Sequence, residues 1–323
     1  MKKLLFISNL RSGKNKIRPS FAAVVDLFVA GGYEVTVHTT QAEKDAYEVT
    51  AQKAGAYDVV VCSGGDGTLD EVVSGLLQMQ NPPVLGYIPA GSTNDFAKSL
   101  GISPRVLSAA ENVLKGTPCP VDVGVFNERT FAYVAAFGTF TDVSYQTPQQ
   151  LKNTFGHLAY ILEGMKGLPT CIRPHWMTVR FDDEVITDNF AYGMVSNSPS
   201  VGGFKSIGSK EMELDDGKFE LLLIRMPRNI VELQAVGTAY LMQHYDERYM
   251  FFARVSHVEI SSEKEIHWTL DGEDGGSWKE VEIDNRHQAI SIIRPKDAAE
   301  RQRVKEEYEA QERKEGKENA ENE

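Results

Sequence analysis

The stretch of residues 58–74, DVVVCSGGDGTLDEVVS, constrains the fold of this chain more than any other. Its first five residues are too few and too β-branched for a helix, so they predict a strand that is covered on both faces, as in a parallel sheet. A glycine-rich turn follows. Apolar residues then recur at helical spacing, at Leu69, Val72, Val73, Leu76 and Leu77. The stretch therefore predicts a strand, a turn and an amphipathic helix.

The turn itself has the composition of a phosphate-handling loop. Gly64, Gly65 and Gly67 let the backbone approach a ligand, and the start of the helix offers free N–H groups and a partial positive charge. Asp66 lies among them, where we expect it to hold a metal ion or a water that bridges to phosphate. The turn has neither the Walker A spacing nor the G-x-G-x-x-G spacing of dinucleotide folds. A glycine-rich turn that binds nothing is the alternative.

Composition narrows the class of protein. The 323 residues are enough for two domains, and 41% hydrophobic with 25% charged residues is typical of a globular chain. No apolar run reaches about eighteen residues and no cleavage site follows Met1, so we expect a cytosolic protein. Cys62, Cys119 and Cys171 lie too far apart for a zinc motif or a disulfide framework. The net charge of −12 argues against nucleic acid as a partner and requires any membrane contact to come from a local patch.

The first 120 residues repeat the strand and helix pattern. Strands are predicted at residues 4–7, 34–40, 58–62 and 84–88, with helices starting near Pro19 and Ser103. This alternation predicts an α/β domain with a parallel, doubly wound sheet. Ligands of such sheets bind at the carboxyl ends of the strands, so we expect the following loops to share one edge. These loops carry Asn9, Thr40, Asp66 and Asp95.

The second half has a different character, with short strand-like runs separated by turn signals. Such runs lie at residues 131–137, 176–181, 189–196, 219–224, 250–261, 266–270 and 289–293. They predict a β-rich, sandwich-like second domain, interrupted by helices at 151–168 and 230–243. We place the domains at 1–122, which a strand near 288–295 could complete, and 123–287. The charged tail at 296–323 is expected to be a solvated helix or disordered.

Several motifs together resemble one superfamily of kinases. Residues 64–68, GGDGT, resemble the signature of the diacylglycerol, sphingosine and NAD kinases, and residues 89–97, PAGSTNDFA, resemble their P-x-G-T-x-N-D-F-A motif with Ser92 for threonine. Residues 9–13 resemble their first nucleotide loop, with Leu10 in place of proline. Asp122 matches a third acidic position, and residues 270–273, LDGE, resemble the D-G-E motif. With all motifs in the family's order, the chain resembles the bacterial soluble diacylglycerol kinases.

The resemblance implies a Mg²⁺-dependent transfer of the ATP γ-phosphoryl group to the hydroxyl of diacylglycerol, giving phosphatidic acid. It implies Glu273 as general base, with Asp66, Asp95 and Asp122 organising the catalytic Mg²⁺ and water. The first domain would bind the nucleotide and the second the lipid acceptor. A structural Mg²⁺ would be held by the side chain of Asp216 and the backbone carbonyls of Glu213 and Lys218. The residues implied to hold ATP are Asn9, Leu10, Arg11, Ser12, Gly13, Thr40, Gly65, Asp66, Gly67, Thr68, Leu69, Asp70, Glu71 and Ser92.

Alternatives to this assignment stay open. The acceptor could be phosphatidylglycerol, a sphingoid base or NAD, although NAD kinases lack the D-G-E motif, and the chain could be a catalytically silent regulatory homologue. We expect a cytoplasmic protein that is peripheral at the inner face of the membrane, where diacylglycerol lies. The apolar stripe at 151–168 could provide that contact. It could instead pack in the core or join two copies in a homodimer.

Overall fold

The computed structural model describes residues 1–92, 94–138, 173–198, 200–201, 204–205, 213–241, 245–297, 301–304 and 306–308. The chain divides into two compact units. Unit 1 comprises Met1–Val121 and Gln288–Glu323, and unit 2 comprises Asp122–His287. The predicted helix at 151–168 lies outside the described residues. The roles predicted for the two domains remain predictions.

Unit 1 is built on parallel strands. They are β1 (Lys2–Ser8), β2 (Tyr33–Thr39), β3 (Val59–Gly64) and β4 (Val84–Pro89), in the order β4-β3-β1-β2. Phe6 of β1 pairs with Val37 on one side and with Val61 on the other. Every residue of β3 is buried, which explains its unbroken apolar sequence. The end of β15 (Glu273–Arg294) lies parallel to β4, with Ile292 opposite Leu85.

Helices connect these strands. They are α1 (Phe21–Ala30), α2 (Asp45–Lys53), α3 (Asp66–Leu76), α4 (Asp95–Leu100) and α5 (Val106–Lys115), with 3-10 turns at Gly13–Asn15, Arg18–Ser20 and Ala54–Ala56. The alternation confirms the predicted α/β class for this unit. The sequence reasoning missed α2, which is mostly polar, and α4, which has six residues. Neither offers an apolar stripe long enough to stand out from a loop.

Unit 2 is β-rich, as predicted. Its strands are β5 (Thr117–Phe126, which begins in unit 1), β6 (Arg129–Phe131), β7 (Val134–Gly138), β8 (His175–Phe181), β9 (Glu184–Ser196), β10 (Ser200–Val201), β11 (Phe204–Lys205), β12 (Phe219–Arg225), β13 (Met250–Val255), β14 (His257–Leu270) and most of β15, with one helix, α6 (Ile230–Leu241). The antiparallel path runs β13-β12-β9-β7-β14-β15. Its core includes Phe126, Phe137, Phe219 and Trp268.

The strand boundaries near residue 260 differ from the prediction. A single strand at 250–261 was expected, followed by another at 266–270, but β13 ends at Val255 and β14 continues from His257 to Leu270. The polar residues 261–265 suggested a turn. They instead form an exposed part of β14, where the pairing with β15 shifts register between Ser261 and Ile266. An exposed antiparallel strand tolerates this polar stretch because only one of its faces needs a core.

The structure of the charged tail also differs from the prediction of a solvated or disordered segment. Residues 301–304 and 306–308, the tail segment hereafter, are helical, and Val304 and Tyr308 are buried. The tail therefore contributes to the core of unit 1.

Candidate active site

Three loops of unit 1 meet at the carboxyl ends of β1, β3 and β4. Their backbones touch, so glycine is required at the contacts. A Cβ atom on Gly91 would lie 2.5 Å from the Cα of Gly65, and one on Gly13 would lie 2.1 Å from the carbonyl oxygen of Ala90. Gly13 also has a φ of +48°, which favours glycine. The structure thus brings together the three loops to which the sequence assigned the nucleotide.

The side chain of Asn9 joins the first of these loops to α3. Its Nδ2 donates to Thr68 Oγ1 at 3.1 Å, and its Oδ1 accepts from the backbone N–H of Arg11 at 3.0 Å. Both Asn9 and Thr68 were predicted to bind ATP. Their mutual hydrogen bond fixes the shape of the loop against the start of the helix.

The third loop is closed by Asn94. This residue has a φ of +53°, and its Oδ1 accepts from the Gly91 N–H at 2.8 Å while its Nδ2 donates to the Gly91 carbonyl at 3.0 Å. Lys16 Nζ donates to the same carbonyl at 3.1 Å. Sequence reasoning missed Lys16, which lies beyond the first-loop motif at residues 9–13. Lys16 adds a positive charge beside the loops.

Asp66 and Asp95 occupy corresponding positions at the starts of α3 and α4. Asp95 is 5% exposed and Asp66 is partly buried. Both influence the phenol of Tyr87, whose pKa is raised first by burial and then by the charges of Asp66, Cys62, Tyr308 and Asp95. The charges of both predicted acids therefore disfavour ionisation of this buried phenol. Carboxylates at helix starts are stabilised by the free N–H groups there.

Other predicted nucleotide residues have structural contacts of their own. The carboxylate of Glu71 accepts from the backbone N–H groups of Lys44 at 2.9 Å and Ala46 at 3.1 Å, which caps the start of α2. The backbone N–H of Thr40 donates to the Ser8 carbonyl at 3.0 Å. Leu69 is buried in the core, whereas Ser92 is exposed. Contact of these residues with ATP remains a prediction.

In unit 2, Asp122 holds the acidic turn at residues 214–218. Asp122 is fully buried, and its Oδ2 accepts from the Gly217 N–H at 2.7 Å and from Asn285 Nδ2 at 3.2 Å. Its backbone N–H donates to the Leu214 carbonyl at 2.8 Å. His287 Nε2 donates to the Asp215 carbonyl at 2.8 Å. The sequence named both the acid and the turn, and missed Asn285 and His287, which no motif marked.

Asp216, the predicted ligand of a structural Mg²⁺, lies in that turn. Its Oδ1 accepts from the Lys218 N–H at 2.8 Å, and its Oδ2 forms an ion pair with Arg254. The Arg254 Nε also lies 3.7 Å from Oε1 of Glu220, a buried carboxylate whose pKa burial raises to about 8. Carboxylate and carbonyl oxygens are donors that suit Mg²⁺. The donor set fits, with Arg254 as an internal competitor for Asp216.

The LDGE motif forms a rigid turn between β14 and β15. The buried carboxylate of Asp271 accepts from three consecutive backbone N–H groups, of Ala132, Tyr133 (3.0 Å) and Val134 (2.8 Å). Burial raises its pKa to about 6 against the lowering effect of these bonds, and the charge of Glu273 adds to the rise. Two residues on, Glu273 is exposed. The motif therefore consists of a buried anchor and an accessible carboxylate.

Comparison with known proteins shows which family the chain belongs to. Residues 3–126 match the family model described as the diacylglycerol kinase catalytic domain. The chain is 34% identical to a diacylglycerol kinase of Bacillus subtilis (strain 168), over 93% of this chain and 99% of that one. It is 32% identical to a diacylglycerol kinase of Staphylococcus epidermidis (strain RP62A), over 92% and 93% of the two chains.

A crystal structure of a diacylglycerol kinase from Bacillus anthracis has the same fold, with a TM-score of 0.71 and 21% identity over 92% of this chain and 98% of that one. The fold and these matches identify a kinase. The chain belongs to the diacylglycerol kinase family, as its motifs predicted.

Proposed function

We propose that this kinase transfers the γ-phosphoryl group of ATP to the free hydroxyl of diacylglycerol, giving phosphatidic acid. The observation that carries the proposal is the turn at residues 271–273, in which a buried aspartate with three amide partners presents an accessible glutamate. The names of the relatives from Bacillus subtilis and Staphylococcus epidermidis support diacylglycerol as acceptor.

In this proposal the three loops of unit 1 bind ATP. The close backbone contacts at Gly13, Gly65 and Gly91 give loops that are already shaped for a ligand, which reduces the entropy lost on binding. Backbone N–H groups at the start of α3 would donate to phosphate oxygens. Arg11 and Lys16 would offset part of the phosphate charge.

Glu273 is proposed as the general base. Its carboxylate would take the proton of the acceptor hydroxyl as that oxygen bonds to the γ-phosphorus and the bond to the β-phosphate oxygen breaks, which leaves ADP. Asp271 would keep the turn in place during this transfer. The three amide bonds to Asp271 would hold the backbone of the turn from which Glu273 extends.

Mg²⁺ is proposed as the cofactor. Asp66 and Asp95, with Asp122, would organise the ion that neutralises charge on the phosphates, and Asp216 with the carbonyls of Glu213 and Lys218 would hold a structural ion. These are oxygen donors only, as Mg²⁺ prefers.

We further propose that the protein works as a peripheral enzyme at the cytoplasmic face of the membrane. No helix in the described part of the chain is long and apolar enough to cross a bilayer. Since the acceptor hydroxyl lies at the membrane interface, the enzyme has to reach it there. The predicted interfacial stripe at 151–168 is our candidate for that contact, and a homodimer remains open.

An acceptor panel tests the proposal. The purified chain is incubated with labelled ATP and Mg²⁺ in mixed micelles that contain diacylglycerol, phosphatidylglycerol or a sphingoid base, and in buffer with NAD. We expect labelled phosphatidic acid to be the dominant product. If another acceptor is labelled more strongly, that molecule replaces diacylglycerol as the proposed substrate. If the folded chain labels none of them, a regulatory homologue is favoured.

A further inference from the structure

Strand β15 begins with an irregularity beside Glu273, the proposed general base. Its pairing with β14 skips one residue, Gly275, which lies between the paired residues Asp274 and Gly276. One extra residue in an antiparallel pair is a β-bulge, and bulges change the direction of the side chains next to them. Glu273 is exposed, so the direction of its carboxylate depends on the backbone from which it extends.

Contacts within β15 hold this bulge in one conformation. Asp274 Oδ1 accepts from the Gly276 N–H at 2.7 Å, and Trp278 Nε1 donates to the Gly275 carbonyl at 2.9 Å. Gly276 has a φ of +83°, which favours glycine. A Cβ atom on Gly275 would lie 2.8 Å from the carbonyl oxygen of Trp268. The sequence at the start of β15 is therefore matched to the bulge.

A further contact reaches the bulge from β6. Arg129 Nη1 donates to the Asp274 carbonyl at 2.7 Å, across 145 residues of sequence. The three backbone N–H groups that hold the Asp271 carboxylate directly follow β6. One short segment, residues 129–134, therefore holds the turn on both sides of Glu273.

The backbone of β6 is itself anchored. In the turn before it, the backbone N–H of Asn127 donates to the Glu282 carbonyl at 2.8 Å, and Asn127 Oδ1 accepts from the Glu282 N–H at 2.9 Å. Phe131, at the end of β6, is fully buried in the core of unit 2. Arg129 lies between these two anchors, so its guanidinium reaches Asp274 from a fixed position.

We propose that Arg129 is a positioning residue for the reaction and acts through Glu273. Its guanidinium holds the backbone at Asp274 and so keeps the Glu273 carboxylate directed at the acceptor hydroxyl. This inference rests on the proposed function, because that function makes Glu273 the base. A hydrogen bond with a charged donor is stronger than one between neutral groups, and a small displacement of a reacting group lowers a rate by up to about a hundredfold.

The test compares Arg129→Gln, Arg129→Lys and Glu273→Gln in the full chain, by initial rates with labelled ATP and diacylglycerol micelles. Arg129→Gln should lower kcat about tenfold, the scale of one hydrogen bond with a charged donor, while the KM for Mg²⁺·ATP and the melting temperature stay close to wild type. Arg129→Lys keeps a charged donor and should recover part of the loss. Arg180→Gln changes an exposed arginine on β8 and is the matched control, with wild-type kcat expected.

A double-substitution cycle shows whether Arg129 acts through Glu273. In the Glu273→Gln background, Arg129→Gln should cause no further fall in kcat, because the base that it positions is already lost. A residue that only stabilises the fold, or that acts on the substrate independently, would instead multiply the two losses.

The results that would overturn the inference are distinct from those that would overturn the proposed function. Wild-type kcat in Arg129→Gln, or losses that multiply in the double variant, overturn the role of Arg129 while a loss in Glu273→Gln still supports the base. If Arg129→Gln melts at a much lower temperature, the cycle is repeated with Arg129→Lys, and a multiplied loss again overturns the inference. If Glu273→Gln turns over like wild type, or the wild-type chain labels no acceptor, the proposed function fails and this inference fails with it.

Discussion

The carboxylate of Asp122 accepts a hydrogen bond from the backbone N–H of Gly217, at 2.7 Å, from within the core of unit 2. The contact links the third predicted acid to the acidic turn at residues 214–218, nearly one hundred residues away in the sequence. Asp122 therefore has a structural role in addition to the catalytic one proposed for it.

This role predicts a loss of stability. Asp122→Ala leaves the N–H of Gly217 and the Nδ2 of Asn285 without their acceptor, so we expect the free energy of unfolding to fall by about 3 kcal/mol. Urea denaturation monitored by tryptophan fluorescence measures it. Asp183→Ala is the comparison, because Asp183 is exposed on the turn between β8 and β9 and should change stability little. Equal stability of Asp122→Ala and wild type would show that the hydrogen bond contributes nothing.

Substitution of Glu273 should lower the catalytic rate without changing the stability of the fold. Its side chain is exposed, so Glu273→Gln is expected to leave the fold and nucleotide affinity intact while kcat falls about a hundredfold, the scale of a lost general base. Initial rates with diacylglycerol micelles and binding of an ATP analogue separate the two quantities. Glu280→Gln, an exposed glutamate on the same strand, is the control. Normal turnover in Glu273→Gln would remove this residue from the mechanism.

The ion pair between Asp216 and Arg254 predicts how the acidic turn responds to Mg²⁺. If the turn binds the ion, Mg²⁺ raises the melting temperature of wild type by preferential binding to the folded state, and Asp216→Ala abolishes that rise. Arg254→Gln removes the competing guanidinium and should increase the response at low Mg²⁺ concentration. Melting curves with Mg²⁺ and with chelator measure both effects. If neither Mg²⁺ nor chelator changes the melting temperature of wild type, the turn binds no such ion.

The raised pKa of His257 predicts that the stability of the fold depends on pH. Its pKa is raised, chiefly by the hydrogen bond to Asp284, and also by Glu259 and Glu282 on the same face. The folded state thus binds the proton more tightly than the unfolded state. The stabilisation is complete below the unfolded pKa of about 6.5 and is lost as the pH rises through the higher folded value.

Unfolding of wild type and His257→Gln at pH 6 and pH 8.5 tests this dependence. Wild type should lose more stability across the interval than the variant does, and Asp284→Asn should resemble the variant. Arg180 lies opposite Glu259 on β8 and is present in wild type and in both variants. Identical pH profiles would contradict the prediction.

Local pattern was sufficient for much of the fold and for the motifs. Strand β3 and helix α3 follow from β-branched residues, glycines and one apolar stripe, because each of these signals lies within a few residues. The contacts that complete the candidate site are not local. Arg254 meets Asp216 across 38 residues and Glu307 meets Ser103 across 204, and no periodicity in either segment indicates its partner.

Side-chain roles were also less predictable than motifs. Glu71 lies in α3, and the resemblance assigned it to ATP binding. In the structure its carboxylate caps α2. The sequence did not predict α2 because that helix is mostly polar. The tail was expected to be solvated because charged residues dominate it. Two buried side chains, Val304 and Tyr308, are enough to dock it and too few to be recognised by composition.

Unit 1 is formed from both ends of the chain, and this has a consequence for its biosynthesis. During translation the strands β1 to β4 emerge first, but Ile292, which pairs with Leu85, and the aromatic ring of Tyr308 emerge only after unit 2. A ribosome-bound chain must therefore hold an incomplete unit 1 while the whole of unit 2 is being made. During that time the edge of β4 has no partner from β15. Premature termination before Gln288 would remove part of the first unit, and chaperone demand should be highest for that nascent intermediate.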